Sequence, residues 1–132
     1  MKKIFMIAMT LSALIFATSA KAATQPPPRD VVVNVNDAYV PGGFDSTSDV
    51  FTVVNGIFQN GCYSWSYAEV THPSQFVHEV RAHASVKQGM CIMVLIPYTK
   101  EVRIGKIGEG SHKLRFMNGD GTFFEKSVSI EQ

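Results

Sequence analysis

Histidines are the residues in this chain best suited to chemistry. Three of the four, His72, His78 and His83, fall within twelve positions. Imidazole nitrogens ligate zinc at roughly 2.0–2.2 Å and exchange protons near neutral pH. If Pro73–Ser74 turns a hairpin, His72 and His78 approach one another across it, and these two are the metal candidates. His83 shares a face with Glu79, but four residues along a strand span about 13 Å. One ion cannot hold both without help from other elements. The plainer reading is strand-end histidines open to solvent, with His78 half-buried, so that the domain's charge responds to mild acid. His112 has the parity of Leu114 and Phe116. It should face inward beside a turn and hydrogen-bond a backbone group.

The other reactive side chains form no catalytic pattern. There is no Gly-x-Ser-x-Gly elbow and no His-Glu-x-x-His. Asp45 with Asp49, and Asp120 with Glu125, read as solvated loop charges. Asn118–Gly119–Asp120–Gly121 lacks the ligand ladder of a calcium loop. Cys62 and Cys91 are the only cysteines. A thiolate nucleophile would need one of them free, whereas an oxidising compartment pairs them. A bridge enclosing 28 residues is worth roughly 3–4 kcal/mol by chain entropy. The expectation is therefore a disulfide and no enzyme, cofactor or catalytic residue.

Tyr63, Trp65 and Tyr67 alternate with Cys62, Ser64, Ser66 and Ala68. If Cys62 faces the core, the aromatic row faces out and suits stacking on a sugar, a peptide or a protein. If the aromatics fill the core, the serines form an ordinary wet face; binary patterning favours this second arrangement. Both stay open at this level.

The elements that must position these residues are strands. Val31, Val33 and Val35 alternate within a first strand over Asp30–Asn36, and Val50–Val54 begins a second that extends towards Phe58. Asn55–Gly56 reads as a bulge or tight turn. Cys62–Thr71 and Phe76–Val86 follow, with His72–Pro73–Ser74 breaking the chain between them. Cys91–Ile96 is continuously apolar, as a central strand buried on both faces would be. Glu101–Ile107, His112–Met117 and Thr122–Ile130 complete about eight strands, the last two joined by a hairpin turn at Asn118–Gly121. With turn signals roughly every 8–12 residues, the class is an all-β antiparallel sandwich or barrel. The paired strands after Cys62 and Cys91 suggest a bridge across two sheets, or between neighbouring strands, over the Trp65 region, which tilts the reading to a sandwich.

Residues 1–22 read as a secretory signal peptide: Lys2–Lys3, an apolar run over Ile4–Phe16, and Ala20–Lys21–Ala22 before the cut. The run is short for a membrane span of about 20 residues. Residues 23–29 form a linker through Pro26–Pro28, and 30–132 form one domain. Loss of Lys2, Lys3 and Lys21 leaves nine basic against eleven acidic residues, a net charge of −2. No overall basic excess remains to hold nucleic acid or an anionic membrane. The destination is the periplasm or beyond, with no membrane span in the mature form.

Met90–Cys91, Val94–Leu95–Ile96–Pro97 and the run Val102, Ile104, Gly105, Ile107, Gly110, His112, Leu114 resemble the C-terminal half of bacterial secreted immunoglobulin-like β-sandwich modules over residues 90–117. Those modules often carry a corner tyrosine, where this chain has His112. The resemblance implies an antiparallel immunoglobulin-like sandwich of about 7–8 strands and a role in adhesion, scaffolding, inhibition or ligand binding. The expected function is an exported non-enzymatic binding or structural module for a protein or glycan partner. The alternatives are an inhibitor of an exported hydrolase, working through loops such as Tyr39–Asp49, and a His-based metal binder.

Overall fold

The computed structural model describes residues 25–132, together with residue 17. The expected leader and its cleavage site, residue 17 aside, lie outside the described residues. Eight strands make up the domain: β1 (Arg29–Val33), β2 (Asp37–Tyr39), β3 (Val50–Phe58), β4 (Tyr63–Ser74), β5 (Val77–Val86), β6 (Ile96–Gly105), β7 (Gly110–Met117) and β8 (Phe123–Ile130). β2, β3 and β6 form a three-stranded sheet; the other five strands form its partner.

β5 is the centre of the larger sheet. β4 runs antiparallel along one edge, from Tyr63 opposite Val86 to Ser74 opposite Val77. The other edge is shared end to end. β1 takes Ala82–Val86, and β7 takes Val77–Arg81. The β5–β7 pairing is parallel and the rest are antiparallel, so the sheet is mixed rather than wholly antiparallel. β5 alternates, burying His78, Val80, Ala82, Ala84 and Val86 on its inner side, and only His83 of the opposite parity is buried as well. Val80, Ala82 and Ala84 join Val50, Val54, Phe58, Val102 and Ile104 of the smaller sheet in one apolar core, which Leu114 and Phe116 complete.

Three expectations change. The first strand ends at Val33; the chain crosses to the other sheet through Asn34–Asn36 and resumes as β2. Val35 is buried within that crossing. Gly56 is neither turn nor bulge, because β3 runs through it in register with Tyr98 of β6. The Tyr98 ring lies flat on this glycine, where any Cβ would collide with it, and its hydroxyl donates to the Asn34 carbonyl at 2.7 Å. Burial pushes the Tyr98 phenol up to about 12.

The third correction is the largest. Cys91–Leu95 is not a buried central strand: β6 begins only at Ile96. The disulfide holds Cys91 beside Cys62 at the end of the larger sheet, whereas β6 belongs to the smaller one. The segment must cross between sheets, so its apolar side chains find no ladder partner and stay exposed. An apolar run alone cannot separate a buried strand from such a crossover.

Gly56→Ala should destabilise the domain by about 1–3 kcal/mol through overpacking against Tyr98. Denaturant unfolding measures it. The cost should shrink markedly in a Tyr98→Leu background, since the two changes share one contact; an equal cost in both backgrounds would refute the contact.

Candidate functional site

The β4–β5 hairpin carries two polar clusters, one at its turn and one on its outer face. At the turn, Thr71 pairs with Glu79 and Ser74 with Val77, so His72 and Pro73 together oppose His78. This is a bulge, and it directs His72 onto His78. The Nδ1 atoms of the two rings lie 2.6 Å apart. Pro73 does not end the strand; the turn itself is Gln75–Phe76. His78 Nε2 meets His112 Nδ1 at 2.9 Å, and His112 Nε2 meets the Gly108 carbonyl at 3.1 Å. His112 faces inward and bonds backbone, as its parity required. His78 is 2% exposed, fully rather than half buried.

The carbonyl fixes every proton in this row. Gly108 O can only accept, so His112 donates from Nε2 and, as a neutral ring, accepts at Nδ1. His78 then donates from Nε2 and accepts at Nδ1, and His72 donates from Nδ1. Three imidazoles are oriented in one sense, from the solvent-exposed His72 to a backbone oxygen. Burial, and then the neighbouring His72 and His112, push His78 down to about 4 from 6.5. Because His78 uses opposite nitrogens for its two neighbours, the three rings do not converge on one point. Among the described residues no group of three or more His, Cys, Asp or Glu is arranged to hold a metal ion.

On the outer face, His83 bridges two carboxylates: Nδ1 lies 3.2 Å from Asp30 and Nε2 3.1 Å from Glu69. Tyr67 stacks on the ring at 4.4 Å and donates to Asp30 at 3.2 Å. The cluster ties β1, β5 and β4 together across the sheet surface. Tyr67 and Glu69 join it on the outer face because a second bulge in β4, at Ser66, shifts the register between Trp65 and Tyr67. The aromatic row is therefore split. Tyr63 and Trp65 pack on the core, with Trp65 5.6 Å from Tyr98 and Tyr63 stacked on Phe58 at 6.0 Å. Tyr67 alone faces out, 46% exposed.

Cys62 and Cys91 form the disulfide, with their Cα atoms 5.2 Å apart. It closes the open end of the β4–β5 hairpin, opposite the histidines. Asn60 Oδ1 accepts from the Cys62 N–H at 2.9 Å, Gly61 N–H donates to Ile92 O at 2.8 Å, and Lys87 N–H donates to Cys62 O at 3.0 Å. These bonds hold the base of the crossover, yet Met90, Ile92, Met93, Val94 and Leu95 project from it, Met93 at 84% exposure. Beside the disulfide is a hollow of about 400 Å³, with Arg29, Tyr63, Lys87 and Gln88 on its wall. Tyr63 also lines a hollow of about 330 Å³ between β1 and the end of β3.

Residues 52–130 match the ORF11 beta-sandwich domain. The chain belongs to that family. The matched span opens inside β3 and closes with β8, taking in the histidine row, the disulfide and the apolar crossover of this ORF11 beta-sandwich domain while leaving out β1 and β2. No curated protein and no solved structure matches the chain.

The loop charges stay at the surface. Asp45 accepts from the Thr47 hydroxyl at 2.6 Å within its own turn, Asp120 from the Thr122 hydroxyl at 2.6 Å, and Glu125, which lies in β8 and not in a loop, pairs with Arg115 of β7 at 2.7 Å. Each carboxyl lies below its ordinary range, chiefly through that side-chain hydrogen bond. Phe44, in the loop an inhibitor would present, is buried edge-on against Phe51. Sequence reasoning missed the exposure of the crossover. It also missed Asp30 and Glu69 around His83, for which no local spacing gives a signal.

His78 is held neutral in the fold but protonates near 6.5 when unfolded, so the unfolded state binds more protons between about 4 and 6.5. Stability should thus fall as pH drops through that window, by on the order of 2–3 kcal/mol. Denaturant melts at stepped pH check this, and His78→Leu should flatten the acid slope.

Proposed function

We propose that this chain is an exported, non-enzymatic binding module that meets its partner through the disulfide-tethered end of the sandwich. One observation carries the reading: Met90–Leu95 presents a run of exposed apolar side chains on a base fixed by a disulfide and three backbone-donor hydrogen bonds. Contiguous apolar surface of this kind marks contact sites, and holding the loop's base lowers the ordering cost of binding. The disulfide supports export, since such bridges persist in oxidising compartments, and the periplasm or the outside is the proposed destination. The immunoglobulin-like architecture is part of this proposal. It is supported by His112, whose ring bonds a backbone carbonyl four residues upstream in the manner of a corner tyrosine.

The test is photo-cross-linking in the exporting cell, with benzoylphenylalanine placed at Met93 or, at the opposite end, at Glu109. Adducts from Met93 and few from Glu109 are the expected outcome. Adducts from Glu109 with none from Met93 would move the contact surface to the histidine end and overturn the assignment.

A further inference from the structure

The charge around the crossover is as one-sided as its hydropathy. From Asn55 to Ala68 no residue is charged, and from Val86 to Thr99 the only charge is Lys87. Arg29, opposite Val86 at the start of β1, brings a second cation to the same end. Both are exposed, and both line the hollow of about 400 Å³ beside the disulfide. Asp30, next to Arg29 in the chain, is engaged by His83 and Tyr67, and Asp37 by Lys126 at 3.6 Å. The net negative charge expected of the mature chain therefore resides elsewhere on the domain.

From this arrangement we propose that the crossover is a membrane-surface contact: the apolar tip enters the interface of an anionic bilayer while Arg29 and Lys87 take a lipid phosphate in the adjoining hollow. The proposal rests on the binding-end reading above and names its partner. The pairing of an exposed apolar segment with two cations beside it favours lipid over a protein groove. The apolar residues follow one another in a single segment outside the strands, with Met90 at 104% exposure and Met93 at 84%. A shallow insertion of about 5–10 Å needs an apolar edge with cations at its rim, and neither signal alone gives stable anchoring. Each cation near an anionic leaflet adds a further increment that salt removes. The proposed contact is a peripheral one; among the described residues no helix is long and apolar enough to cross a membrane.

The experiment is vesicle co-sedimentation of the exported protein with Cys62 and Cys91 oxidised. Vesicles contain phosphatidylcholine alone, or phosphatidylcholine mixed with phosphatidylglycerol. Binding should favour the mixed vesicles and fall several-fold as salt is raised. Ile92→Ser with Leu95→Ser should weaken it at least about tenfold. Arg29→Gln with Lys87→Gln should remove the preference for the anionic lipid. These exposed substitutions should leave the melting temperature unchanged, which separates lost binding from lost folding. Any contribution from residues 1–24 is common to all variants, so equal binding by the Ile92/Leu95 variant and the parent would overturn the proposal. Absence of vesicle binding would also overturn it; a protein adduct at Met93 in the cell would then leave the binding end standing and the lipid assignment refuted.

Discussion

A strand has two edges, and β5 must serve three neighbours with them. β4 occupies one edge along its length, and β1 and β7 divide the other at the step from Arg81 to Ala82. Everything else follows from that division. β1 must be short, because β7 lies in its path. Once past Val33 it can only leave the sheet, and it becomes β2 of the facing layer. β7 must arrive parallel, which requires a long connection through β6. β5 is thereby buried among its neighbours, and its polar residues need partners within the protein. His78 and His83 point to opposite faces of this strand and each finds two. Among the described residues no buried side-chain nitrogen or oxygen is left without a partner.

The two ends of the sandwich consequently differ in chemistry. One end gathers a row of oriented imidazoles closed by a backbone carbonyl. The other gathers an apolar crossover, a disulfide and two cations. Cys62–Cys91 does not join the two sheets across the core in this fold. It closes a hairpin that the β4–β5 ladder already aligns. Its structural effect falls instead on the crossover leaving that hairpin, whose base it fixes while the tip remains outside.

Much of this was legible in the residues. Alternation located β5 and β7, and Asn118–Gly121 marked the hairpin that leads into β8. The parity of His112 gave both its burial and its backbone partner, and the cysteine pair gave the disulfide. The failures share a physical cause. A bulge adds one residue and inverts every later side chain, and neither Ser66 nor the His72–Pro73 step announces one. Parity arguments therefore kept all three aromatics on one face, whichever face that was, whereas the extra residue at Ser66 turns Tyr67 out and leaves Tyr63 and Trp65 on the core. Gly56 was misread because the ring that needs it lies 42 positions later, at Tyr98. Cys91–Ile96 was misread because hydrophobicity records a preference for leaving water, and carries no information on whether the same molecule provides the shelter.

The path of the chain through the sandwich has a mechanical consequence. It enters β1 at Arg29, beside Val86, and leaves β8 at Ile130, opposite Gly110, at the far end of the same sheet. A pull between these points acts along the strand axes. It loads the β1–β5 and β7–β8 ladders in shear, so that their hydrogen bonds resist together instead of opening one at a time. A domain held at its apolar end and tugged from the other would thus behave as a stiff link, with its extension limited by the rate at which these ladders rupture.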